Sequence, residues 1–258
     1  MKLQAMYKSR ANVSQNLMLL LCKTINHWFP DLYERLREIN DFRKMPEYEM
    51  TAILIGGLCI FLLKEGSRKA LDDDRKTEKF SANYQKFFKV PLPHCDTIDG
   101  ILRVLDADEL EKLKNELVSQ LILKKVFTKF RLLGKYTVIA ADGTGLGSTD
   151  KKPYENCPYR EYTNKDTGEV HIVYFPFLLE AKIVCSNGFS ISIQTEWLLD
   201  EGKKYNKHDC EQNALIRLAE KLKKAYPRLN ICLTVDGLYP NKTFLSSVKN
   251  IVGNILLH

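Results

Sequence analysis

Two hydrophobic periodicities divide the chain. Up to about residue 134 apolar positions recur at helical spacing, with breaks at Pro30, at Pro46, around Gly66-Ser67 and at Pro91-Leu92-Pro93. The clearest helix opens at Asp106. Asp106 and Glu109 have capping-box spacing, and Leu110, Leu113, Leu117 and Leu121 form one stripe behind them. This predicts an all-α region of several short helices. The longest apolar stretch, Ala52 to Leu63, is about a dozen residues where a bilayer needs roughly twenty, so it reads as a core helix and no membrane span is expected. Asp72, Asp73 and Asp74 are adjacent acids that point in different directions on a helix, which predicts a solvated face rather than a metal cluster.

After Gly134 the period becomes two. Phe189 to Glu196 alternates, and Ser186-Asn187-Gly188 joins it to the apolar run Phe177 to Val184 as a hairpin, with Pro176 bending the first strand or marking an edge. Asp209 to Tyr226 carries Leu215, Leu218 and Leu222 on one helical face, with Asp209 and Gln212 spaced as a capping pair and Pro227 as the stop. A strand ending at Asp236 follows, then a short helix from Asn241 to Asn250. The order β-β-β-α-β predicts an α/β fold with a mixed sheet, antiparallel in part and completed by a helix crossover. The expected organisation is a helical region over 1–134 and a sheet region over 135–258.

Composition is that of an ordinary globular chain: 258 residues, 45% hydrophobic, 28% charged. The N-terminal residues Met1 to Arg10 are polar and lack an apolar h-region, so no signal peptide is expected. Seven cysteines are scattered singly without any CxxC, which argues against a disulfide framework and a zinc module and for a reducing cytoplasm. The net charge of +7 permits a polyanionic partner. There is no Walker A motif, no dinucleotide loop and no Gly-x-Ser-x-Gly.

The chemistry sits at two Asp-Gly pairs that follow apolar runs, Tyr136 to Asp142-Gly143 and Ile231 to Asp236-Gly237. Carboxylates at the ends of neighbouring buried strands suit Mg²⁺, a hard cation that prefers oxygen ligands. The simpler reading is that each Asp only starts a turn. No Asp or Glu follows Asp236 in the sequence.

Three segments in order, Ala141-Asp142-Gly143-Thr144-Gly145, Lys207-His208-Asp209-Cys210-Glu211 and Val235-Asp236-Gly237-Leu238-Tyr239, resemble the ribonuclease H-like core of DDE transposases encoded by bacterial insertion sequences. Pro93 to Asp99 also resembles the segment preceding that core. The resemblance implies an incomplete ribonuclease H-like mixed sheet with flanking helices behind a helical N-terminal region that helps recognise DNA ends. It implies that Asp142 and Asp236 are the first two acids of a catalytic triad holding two Mg²⁺ ions for DNA cleavage and strand transfer. The last acid of the family, a Glu on a helix well after the fourth strand, has no counterpart here, so a truncated or degenerate copy is expected, inactive alone unless another polypeptide supplies the acid. Transposon-end DNA, and a homodimer or a partner transposase chain, are the expected partners.

Glu211, at the start of the helix before the strand of Asp236, stands as a weak third ligand; the simpler reading is an acid complementing the helix dipole. For DNA contact the segment from Ser148 to Thr167 is the best stretch. Lys151, Lys152, Arg160 and Lys165 there alternate with Tyr154, Tyr159 and Tyr162, so cations can take phosphates while rings stack on bases. Lys203, Lys204 and Lys207 form a second basic group. The alternative is a non-catalytic protein that occupies transposon ends or inhibits a full-length transposase.

Overall fold

The computed structural model describes residues 16–64, 66–200, 207–236 and 242–257. The chain divides into two compact units, 1–113 and 114–258.

The first unit is helical: α1 over 16–28, α2 Leu32–Arg37, α3 Met50–Leu62, α4 Arg68–Arg75, α5 Glu78–Phe88, α6 Cys95–Leu102, and the opening turns of α7 Ala107–Leu123. The proline and glycine breaks separate these helices, and Gly66 takes a left-handed φ of 78° before Ser67 caps α4 by accepting from Ala70 N at 3.1 Å. The apolar stretch forms α3, whose residues Met50 to Gly57 are buried. Its glycines permit close helix packing, since a Cβ on Gly56 would lie 2.7 Å from Ile98 Cδ1. Phe80, Tyr84 and Phe88 line the buried face of α5. Among the described residues no helix is long and apolar enough to cross a membrane.

Two local readings need correction in this unit. The acidic run is not a uniformly solvated face: Asp72 is buried and accepts a hydrogen bond from Cys95 N at 3.0 Å, with Arg75 Nε and His94 Nε2 at 3.5 and 3.4 Å. It ties α4 to the first turn of α6, whose amide would otherwise lack a partner. Asp106 does accept from Asp108 N at 2.9 Å, but Glu109 accepts from Asn40 N at 2.9 Å, a longer-range bond than a capping box makes.

The second unit holds the sheet. β1 is Thr137–Gly145, β2 Tyr159–Thr163, β3 Val170–Tyr174, β4 Phe177–Val184, β5 Ser190–Trp197, α8 Lys207–Ala225, β6 Ile231–Val235, α9 Lys242–Val252 and β7 Ile255–Leu257. Five strands are ordered β5-β4-β1-β6-β7, and β2 with β3 makes a separate hairpin. β4 is antiparallel to β1 and β5, whereas β6 is parallel to β1 and β7 to β6. The architecture is mixed α/β. The units divide at 113, earlier than the expected 134, because Val118 and Phe127 are buried in the sheet's own core.

Odd-numbered residues of β1, β4 and β6, among them Ile139, Ala141, Leu179, Ala181, Leu233 and Val235, share that core with Leu215, Leu218 and Leu222 of α8 and Val248 and Val252 of α9. Even-numbered residues of β1 and β4 are half-buried or exposed. Gly188, with φ 82°, closes the β4–β5 hairpin, where Cys185 and Phe189 are joined by a 2.9 Å hydrogen bond. A register shift at Ala181/Lys182 interrupts the alternation of β5 and leaves both Ile193 and Gln194 buried.

β5 is an edge strand, and α8 closes its free edge. Leu198 N bonds Phe177 O, which turns the odd-numbered carbonyls of the part of β5 after the register shift outward. Trp197 O accepts from Arg217 Nη2 at 2.9 Å, Thr195 O from Lys221 Nζ at 3.4 Å, and Tyr226 Oη lies 3.4 Å from Ile193 O. Arg217 Nε and Lys221 Nζ also hold buried Glu196, each at 2.7 Å. A β-strand edge left open is a template for association, and these side chains occupy it.

Candidate functional site

Asp142 lies inside β1. The strand continues because Gly143, Thr144 and Gly145 pair with Leu179, Leu178 and Phe177, so this Asp-Gly is not a turn. Gly143 is required by packing: a Cβ there would lie 2.6 Å from Phe177 Cε1 and 2.9 Å from Cζ. Asp142 is exposed, and its Oδ1 accepts from Gly143 N at 2.8 Å.

The parallel register of β1 and β6 runs from Thr137↔Ile231 to Ala140↔Thr234; carried two residues further, past the end of β6, it would bring Asp142 level with Asp236. Neighbouring strands lie about 4.8 Å apart, and in-register residues of parallel strands project from one face. Asp236 follows the last residue of β6 and is exposed. Both acids lie toward one end of the sheet; Asp142 has the parity opposite to buried Ile139 and Ala141, and Asp236 follows buried Val235.

A third acid flanks Asp142. Glu180 of β4 is the antiparallel partner of Asp142, and directly opposed residues share a face with Cβ atoms about 5 Å apart. Its Oε2 is 2.8 Å from Lys182 Nζ. Burial pushes against the Glu180 charge, but hydrogen bonds from Lys182 and Ser192 outweigh it and hold the carboxyl below its ordinary range. Glu180 carried no sequence signal, because it stands in an apolar run whose register on β1 no short turn fixes. Among the described residues no three His, Cys, Asp or Glu side chains are grouped to hold a metal ion.

Glu211 is half-buried in α8, four and seven positions before Leu215 and Leu218. It continues the stripe that α8 turns to the sheet, whereas Asp142 projects from the other face. That placement favours the helix-terminus role over metal ligation.

The expected DNA-contacting segment is in part a strand. β2 and β3 pair from Tyr159↔Tyr174 to Thr163↔Val170, where a polar loop was expected over Ser148 to Thr167. Arg160, Tyr162 and Lys165 are exposed, as are Lys151 and Lys152. Arg160 stacks over Phe175 at 5.4 Å and lines a shallow groove with Gly145, Gly147, Ser148 and Phe177, just beyond Asp142 on β1. Tyr154 serves the fold instead: its hydroxyl donates to Leu198 O at 2.9 Å and its ring packs on Trp197 at 4.7 Å. Lys203 and Lys204 lie outside the described residues, as do Gly237 to Tyr239, and Lys207 is the first residue of α8. His171 stands 3.9 Å from Asp150 on the hairpin.

No family model matches this sequence, and no curated protein matches it. The exposed carboxylate of Asp142 stands on β1 just before the groove lined by Arg160, Phe175 and Phe177.

Proposed function

We propose that the protein is a DNA-processing protein of the transposase type, built on a ribonuclease H-like sheet, in which Asp142 and Asp236 hold Mg²⁺ for cleavage and transfer of DNA strands. What supports this reading is the parallel register of β1 on β6, which, carried two residues past its last pair, would bring the two acids level at one sheet end. The sheet order supports it, since a strand flanked by an antiparallel hairpin on one side and a helix-connected parallel strand on the other is what such a core requires.

The donor set fits the ion. Two exposed carboxylates offer hard oxygens while leaving room for the waters that Mg²⁺ retains. Mg²⁺ held there would polarise the scissile phosphodiester and lower the pKa of an attacking water or 3′-hydroxyl. Asp142 and Asp236 orient that chemistry, and Arg160, Lys151, Lys152 and Lys165 take phosphates of the strand lying along the groove. Two acids leave the site short of charge. Glu180, paired with Asp142 but engaged by Lys182, is the nearest candidate for a third, ahead of Glu211; a carboxylate from a second polypeptide is the other source. A reducing, cytoplasmic setting agrees with this reading, as the described cysteines are free.

One observation favours a second reading, a DNA-binding protein that occupies ends without cutting: no triad of ligands is assembled among the described residues. A single experiment separates them. The chain is mixed with end-bearing DNA and Mg²⁺, with and without a full-length transposase, at graded salt. The proposal expects DNA binding with a steep salt dependence, and cleavage only when a third acid is supplied, lost on Asp142→Ala or Asp236→Ala. Binding that survives both substitutions with cleavage under no condition establishes the second reading, and absence of DNA binding overturns both.

A further inference from the structure

In the helical unit, α1, α2 and the end of α5 border a half-open cavity of about 270 Å³. Its apolar wall is Ile25 of α1 and the Phe87 ring of α5. Its rim carries two cations from different helices, Arg37 of α2 and Lys89, which ends α5 in the left-handed region at φ 61° with its N–H bonded to Gln85 O at 3.0 Å. A lysine at a helix C-terminus is explained by the helix dipole alone. Arg37, the last residue of α2, stands at a helix C-terminus as well, so what sets the pair apart is that two helix ends bring their cations to one rim, and among the described residues neither has an ion-pair partner.

Among the described residues no carboxylate lines this cavity. Its two remaining acidic groups stay neutral at physiological pH: burial pushes the Tyr33 phenol up to about 12 and raises the Cys22 thiol, whose Sγ donates to Phe87 O at 3.2 Å. Among the described residues the cavity is thus apolar inside and doubly cationic at the rim, with no compensating negative charge in its lining. Its size is just below the usual range for ligand pockets, about 300 Å³ upward, which sets the limit near one ring.

We propose that this cavity binds a single-ring aromatic anion, with the ring against Ile25 and Phe87 and the phosphate or carboxylate between Arg37 and Lys89. The guanidinium forks onto the anion while the ammonium adds a point charge. Asn26 and the Tyr33 hydroxyl offer hydrogen bonds to a ring substituent. The site is independent of the proposed DNA chemistry and stands or falls separately.

Calorimetric titration of the full chain with phenyl phosphate tests it. The expected result is saturable one-to-one binding with Kd about 1 mM or tighter, in line with so small a ligand. Arg37→Ala and Lys89→Ala each weaken it by about tenfold or more, while benzyl alcohol and inorganic phosphate bind at least about tenfold more weakly than phenyl phosphate. Arg37 is exposed, so its substitution leaves the fold intact; Cys22→Phe, which fills the cavity from its wall, abolishes binding in a chain whose circular dichroism is unchanged. Lack of saturation at about 10 mM overturns the proposal. So does equal affinity in the Arg37→Ala, Lys89→Ala double variant, or inorganic phosphate binding as well as the aryl ester.

Discussion

Replacing Gly143 by Ala probes the placement of Asp142, because the two share β1 and the glycine exists to admit Phe177. The added Cβ would stand 2.6 and 2.9 Å from two ring carbons, where carbon pairs prefer about 3.5–4.0 Å, so the ring must retreat by about 1 Å. Its backbone cannot follow, since Phe177 O accepts from Leu198 N at 2.9 Å and the residue pairs with Gly145. Overpacking of this kind costs about 1–3 kcal/mol. Loss of glycine's unfolded-state freedom returns about 0.5–1 kcal/mol, because Gly143 does not occupy the left-handed region and Ala fits its backbone. The net expectation is a loss of up to about 2.5 kcal/mol, centred on about 1 kcal/mol. Gly145→Ala is the internal control: its Cβ would meet the same ring at 3.4 Å, an ordinary contact, and should be close to neutral. Urea unfolding in a Trp28→Phe background isolates the sheet unit, since Trp197 of β5 is then the sole tryptophan. Phe177→Leu should relieve most of the Gly143→Ala penalty in a double-mutant cycle. Equal costs at 143 and 145, or no coupling to Phe177, would refute the strand placement of Asp142 and restore the turn.

Other consequences are local. Joint replacement Arg217→Met, Lys221→Met, Tyr226→Phe uncovers three β5 carbonyls, so light scattering should report concentration-dependent self-association that each single change does not cause. Asp72→Ala strips a buried partner from Cys95 N and should lower stability by about 1–3 kcal/mol in thermal melts, whereas Asp73→Ala, at an exposed site, should change it by less than about 0.5 kcal/mol. Burial and then the neighbouring Asp72 push the Cys95 thiol up to about 11. The unfolded thiol ionises near 8.5, so its contribution is full below that pH and is lost as pH rises toward about 11. Cys95→Ala should flatten this alkaline decline in pH-dependent unfolding; an unchanged slope would show that Cys95 contributes nothing to it.

How much of this was legible follows from how strongly each element patterns its residues. α8 buries Leu215, Leu218 and Leu222 on one face, so its period survives in the sequence, and Asn187-Gly188 fixes the β4–β5 hairpin through a backbone only glycine adopts readily. β2 and β3 left no trace, since Tyr159 to Thr163 are all exposed and no buried face imposes alternation. β7 is three residues long, too short to carry a period. Asp72 looked like its neighbours because its partner, Cys95 N, is remote in sequence. The two aspartates were legible through their apolar strands, but Glu180 was not. Its place beside Asp142 depends on a β1–β4 register set across a long connection containing another hairpin, which sequence spacing does not encode.

If Asp142 and Asp236 share one cation, as proposed, iron-directed backbone cleavage will map both of them. Fe²⁺ replaces Mg²⁺ at the site, and ascorbate with peroxide then cuts the chain wherever backbone lies close to the ion. Paired cuts are expected around residues 142 and 236, suppressed together by excess Mg²⁺ and by either Asp→Asn substitution. Cuts near only one aspartate, or a pattern that Asp142→Asn leaves unchanged at 236, would contradict a shared cation.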